Sequence, residues 1–100
     1  MAGYVTTQAW AEKNPAVLER FVRAYYHGIE YTNAHRDEWA GILGKYTRLP
    51  PGVIGKMLHS GWGHPIDVAS LQNSADLALK WGLLKRPLDV RSIVHPLALK

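Results

Sequence analysis

Five histidines are the first residues in this sequence that invite chemistry: His27, His35, His59, His64 and His95. Imidazole binds transition metals and moves protons near neutral pH. A metal site on a helix, however, needs ligands on one face, at spacings such as i, i+4 or H-E-x-x-H. No two of the five histidines show that spacing. His59 and His64 flank a glycine-rich stretch, so only the folding of that connector brings them together. The reading is therefore surface or capping histidines and no metal site. Asp37-Glu38 is a pair of adjacent carboxylates, as general acid-base chemistry requires. At a helix start, the same pair complements the partial positive charge of the free N–H groups. Ser60, Ser70, Ser74 and Ser92 lack the G-x-S-x-G elbow that exposes a nucleophile. Gly61-Trp62-Gly63 lacks the further glycines and the lysine of a phosphate loop. With no cysteine present, a catalytic thiol, thiolate metal ligands and disulfides are all excluded. No catalytic residue and no cofactor emerge, and the chain reads as a non-enzyme. Trp62 is the one aromatic residue placed on a loop, where binding residues concentrate, and it is the candidate ligand contact. Its other role is an anchor packed against helices. Tyr25 falls on an apolar stripe and reads as core, whereas Tyr26 and Tyr31 lie off it and are freer to face a partner.

The elements that hold these residues follow a helical period. Asn14-Pro15 marks a helix start, with Asn as cap and Pro at the first position, where its missing N–H costs nothing. Val17, Leu18, Phe21, Val22, Tyr25, Ile29 and Thr32 then recur at spacings of three and four, which predicts one long amphipathic helix ending near Asn33. A second helix begins near Arg36, with Trp39, Ile42, Leu43 and Tyr46 as its buried face; Gly41 and Gly44 weaken it or admit a close neighbour. Leu49-Pro50-Pro51 breaks the chain and starts a short third helix running to about His59. Asp67 caps a fourth, about Val68 to Trp81, and Gly82 suits the left-handed position after its end. Asp89 caps a last turn from Val90 to Val94. Gln8–Lys13 forms a short helix, and Tyr4–Thr7 is β-prone. The expected fold is all-α, with four to five helices in a single helical domain over 1–100.

The net charge of +4 and pI near 9.6 describe a basic chain. The excess is scattered, and no basic run exceeds the two residues Lys85-Arg86. Nucleic-acid binding calls for a stripe or cluster, so no nucleic-acid partner is expected. No apolar stretch approaches the roughly 20 residues of a membrane span, and direct membrane insertion is not expected either. Met1-Ala2-Gly3-Tyr4 has neither the charged nor the apolar part of a signal peptide. That places the chain in the periplasm if a leader lies upstream, and otherwise in the cytoplasm.

The order of the features carries a resemblance. Ala11-Glu12-Lys13-Asn14-Pro15 and Val17–Ala24 lead into Asp37–Leu43, then Leu49-Pro50-Pro51. An Asp-led helix with Leu71-Gln72 and Asp76 follows, then Trp81-Gly82-Leu83-Leu84, Pro87–Val90 and Val94-His95-Pro96. From about Tyr4 to Leu99 this resembles the C-terminal part of periplasmic substrate-binding proteins of ABC transporters, in the nitrate, sulfonate, taurine and thiamine-precursor group. Each motif alone is weak; the shared order is the signal. The resemblance implies helices that cover part of a two-lobed α/β protein whose ligand cleft lies between the lobes. It implies a small-molecule solute and an ABC permease as partners of the whole protein. The family's ligand contacts come mainly from outside the matching segment, so no ligand residue is carried over. Helices made to cover a sheet carry more apolar stripe than this chain can bury, which leads to an expected homo-oligomer. The rival reading is a stand-alone helical protein-protein interaction module, also dimeric. A small nucleic-acid binder and an enzyme are the further rivals.

Overall fold

The structure, a computed structural model, describes residues 3–58 and 61–100. Five α-helices and two 3₁₀ turns make up its regular structure, with no strand among the described residues. The expected all-α class with four to five helices is what forms. The helices are α1 (Gln8–Lys13), α2 (Pro15–Ala34), α3 (Arg36–Tyr46), α4 (Pro51–Ile54) and α5 (Val68–Lys80). The 3₁₀ turns cover Val90–Ile93 and Pro96–Leu99. Contacts cluster into two compact units, residues 1–22 with 64–100, and residues 23–63.

In the first unit, Thr7 caps α1 by accepting the Trp10 N–H at 3.2 Å. The β-prone lead-in forms no strand; instead the Tyr4 ring meets Phe21 edge-on, with centroids 5.2 Å apart. Asn14 differs from its expected role. Its side chain turns back to donate to the Trp10 carbonyl at 3.0 Å, closing α1, while its own carbonyl accepts the Leu18 N–H of α2. One residue thus serves two helix ends. Asp67 caps α5 as expected, accepting the Ser70 N–H at 3.1 Å. Gly82 ends it at φ +75°, a backbone conformation that side chains with a Cβ resist. Leu71, Ala75, Ala78 and Leu79 of α5 are half-buried. Leu77 and Trp81 face solvent. Val90, only 1% exposed, docks the first 3₁₀ turn against this helix. That turn stops at Ile93, and a second one follows where none was expected, with its Ala98 carbonyl accepting the Ile66 N–H at 2.8 Å.

In the second unit, α2 continues to Ala34 and α3 packs on α4. Pro50 caps α4 and Pro51 opens it, in keeping with the double-proline break. The helix is only four residues long and gives way to turns at Gly55 and Lys56; His59, the expected end, lies outside the described residues. Ile54 is the centre of the packing, at 2% exposure. A Cβ on Gly44 would stand 3.8 Å from its Cδ1, so the glycine faces Ile54 without being pressed against it. The buried face expected for α3 is only partly covered. Trp39 and Leu43 are half-buried, but Ile42 is exposed and Tyr46 is 84% exposed. The reason is that α4 covers one flank of α3 and is too short to cover the other.

Among the described residues the buried apolar ones are Ala11, Ile29, Ile54 and Val90, of which Ile54 and Val90 are fully enclosed. The accessible surface is 8242 Å². Among the described residues much of that surface is apolar side chain, as at Tyr46, Trp81 and Leu83.

Candidate functional site

Trp62 lies in the second unit, at a corner built by the junction of α2 and α3. Asn33, near the end of α2, donates its side-chain N–H to the Trp62 carbonyl at 3.0 Å. The Trp62 ring tilts at 52° to Trp39, with centroids 5.9 Å apart. The Arg36 guanidinium lies 5.7 Å from the Trp62 ring centre, within cation–π range, and also reaches the Asn33 side-chain oxygen at 3.3 Å. The sequence offered Trp62 two roles, ligand contact or anchor. The ring is half-buried, with the Trp39 ring and the Arg36 guanidinium as neighbours.

Beside it, Tyr31 and His35 stack face to face at 4.0 Å. Tyr31 donates its hydroxyl to Glu38 at 2.6 Å, so the neighbouring carboxylate raises the phenol pKa above its ordinary value. The His35 Nδ1–H donates to the Tyr31 carbonyl at 2.9 Å. These bonds tie the last turn of α2 to the first turn of α3. Glu38 is thus held by a phenol, while it and Asp37 both lie in the first turn of α3. Tyr26, expected to be freer than Tyr25 to face a partner, is half-buried like it, and that burial raises its hydroxyl pKa.

The serine hydroxyls are taken up by local structure. Ser70 donates to Asp67 at 2.7 Å, Ser74 to the Ser70 carbonyl and Ser92 to the Asp89 carbonyl. Bonds from the Ser70 hydroxyl and N–H hold the Asp67 carboxyl below its ordinary pKa. Ser60 lies outside the described residues. Among the histidines, His95 caps the last turn by accepting the Leu97 N–H at its Nδ1, His27 is exposed and His64 is half-buried. Among the described residues, no group of three or more His, Asp or Glu could hold a metal, and no helix is long and apolar enough to cross a membrane.

One side chain, seen in the sequence only as part of the Leu71-Gln72 pair, has a structural role that its position did not announce. Gln72, half-buried on α5, donates to the Leu88 carbonyl at 2.8 Å and to Asp76 at 2.9 Å, and its oxygen accepts the Val90 N–H at 3.0 Å. A single amide therefore fixes the 88–90 backbone to the helix. The only signal in the sequence is a glutamine bordering an apolar stripe. Two shallow hollows open to solvent, one along Ser70, Gln72, Asn73 and Asp76, the other along Pro50, Val53 and Met57. Neither includes Trp62, and neither is the enclosed, largely apolar cavity that small-molecule sites favour. The chain matches no protein-family model, no curated protein and no solved structure.

Proposed function

We propose that this chain is the C-terminal helical part of the solute-binding component of an ABC importer for small anionic compounds of the sulfonate, nitrate or taurine kind, working in the periplasm. Its role is binding and delivery to a permease through lobe closure, without bond-making. The observation that carries the reading is the uncovered apolar face of the helices. Val17 on α2, and Ile42 and Tyr46 on α3, follow the helical period of packing residues yet remain exposed. Such faces suit helices made to cover another layer. The motif order supports the same reading, because its landmarks fall on element boundaries: Asn14-Pro15 between α1 and α2, Pro50-Pro51 at α4, Asp67 at α5 and Asp89 at the first 3₁₀ turn. A ligand held between lobes draws its contacts from both walls, which accounts for the unremarkable hollows here.

The test uses the product that carries this sequence in the producing cell, captured with an antibody against α5 and mapped by peptide mass. A much longer, two-lobed product is expected. It should be stabilised by about 2.7 kcal/mol at a hundredfold excess of a taurine, alkanesulfonate or nitrate ligand over its dissociation constant. A product of this length alone, unshifted by all three ligands, overturns the proposal and favours the interaction module.

A further inference from the structure

The end of α5 carries a corner of a different chemical character from the other exposed faces. Residues 80–86, Lys-Trp-Gly-Leu-Leu-Lys-Arg, hold three cations and no acid; the nearest acids in sequence are Asp76 and Asp89. Trp81 is 74% exposed and Leu83 80% exposed. The turn that presents them is well determined by its own bonds. Gly82 takes φ +75°, and the N–H groups of Leu83 and Leu84 both donate to the Ala78 carbonyl, at 2.8 and 3.1 Å. Leu84 is half-buried while Leu83 stands out in solvent. The Lys80 Nζ lies 5.7 Å from the centre of the Trp81 ring, and Lys85 and Arg86 are exposed just beyond the turn.

We infer that this corner is a peripheral docking surface for anionic phospholipid. Trp81 and Leu83 enter the boundary between headgroups and acyl chains, while Lys80, Lys85 and Arg86 meet the phosphates. An indole is amphipathic and settles at that boundary, where Trp is enriched in membrane proteins. Adjacent cations are drawn to the negative surface potential, and the two attractions together hold what neither holds alone. The charge selects the occupant. A second copy docked here about a two-fold axis would bring both sets of three cations into one contact, whereas interface cores are depleted of lysine. An acidic protein needs about 800 Å² on each side for a stable interface. Two exposed apolar side chains with three exposed cations close in sequence provide far less, and a bilayer demands no matching shape. This inference stands apart from the importer reading, since it uses only residues of this corner.

The experiment is co-sedimentation of the chain with vesicles of phosphatidylcholine alone, or of phosphatidylcholine mixed with phosphatidylglycerol. Binding is expected only to the mixed vesicles and falls as salt is added. Lys85→Glu with Arg86→Glu lowers the partition coefficient by at least the roughly fivefold that each lost cation contributes. Trp81→Ala weakens binding and leaves helical circular dichroism unchanged. Equal binding to the neutral vesicles, or indifference to the charge reversal, overturns the inference. So does binding to polyglutamate as tight as to the mixed vesicles, which assigns the corner to an acidic protein. A dimer abolished by Trp81→Ala assigns it to a second copy and overturns the inference likewise.

Discussion

Gln72 holds a position that no single aliphatic residue can fill. Its amide presents a donor to the Leu88 carbonyl and an acceptor to the Val90 N–H, both part-buried. Gln72→Leu keeps the volume and leaves both backbone groups without that partner, at a cost of about 1–3 kcal/mol for each group that water cannot reach. Urea denaturation of the variant is expected to show a lowered midpoint, and unchanged stability would show that water replaces the amide. Asp67 gives a prediction with a sign in pH. Bonds from Ser70 hold its folded pKa below the ordinary carboxylate value. The charged cap therefore stabilises the fold above the unfolded pKa, and that contribution is lost as pH falls through the folded pKa. Asp67→Asn keeps a capping oxygen but removes the titration. The wild-type advantage in melting temperature over Asp67→Asn is expected near neutral pH and disappears in acid; a difference constant with pH would separate the cap from its charge. Asp67 and Asp89 were legible in the sequence because a cap is a local bond, two or three residues long. Gln72 was not, because its backbone partners lie 16 and 18 residues away.

At the scale of elements, two glycines with opposite roles show what the helical period can and cannot tell. Gly82 sits at φ +75° at the end of α5, where any Cβ is strained. Gly82→Ala is expected to destabilise by about 1–2 kcal/mol. Gly41 lies within α3 with open space where a Cβ would go. Gly41→Ala is expected to stabilise by about 1 kcal/mol through helix propensity. Paired thermal melts check both signs, and a destabilising Gly41→Ala would mean that the α3 face is closely covered in solution. The breaks between helices were legible for the same local reasons, since Pro50-Pro51 and Gly82 constrain the backbone directly. Burial was less so. Period alone marks Ile42 and Tyr46 as a packing face, but whether a face is covered depends on its neighbour. Here the neighbour is a four-residue helix that reaches Ile54 and little more. Trp62 shows the converse: period says nothing of a loop residue, yet the Asn33 bond and the Trp39 ring give it neighbours.

For the whole molecule, the decisive quantity is how little apolar surface the chain buries by itself. Among the described residues four apolar ones are buried, only Ile54 and Val90 of them completely, while Tyr46, Trp81, Leu83 and Ile93 are each more than 60% exposed. Hydrophobic burial is the main force opposing chain entropy, so uncovered faces of this kind draw a partner. In the isolated chain the available partner is another copy. The corner at Trp81 carries three cations within residues 80–86 that repel their own kind, whereas the Ile42 and Tyr46 face of α3 has Lys45 in its last turn and Arg48 just beyond. Association through α3 makes stability depend on concentration, because a partner that binds only the folded form stabilises it by mass action. The melting temperature of the isolated chain is accordingly expected to rise with protein concentration, and sedimentation equilibrium to show a mass above the 11.2 kDa of one chain. Tyr46 is 84% exposed, so Tyr46→Lys removes apolar contact from the face without disturbing packing within the unit. That variant is expected to sediment closer to the monomer and to lose the concentration dependence. A wild-type chain that melts at the same temperature at every concentration, with the mass of one copy, would mean that these faces tolerate water. In that event the uncovered face of α3 would no longer be a reason to assign the chain to a larger protein.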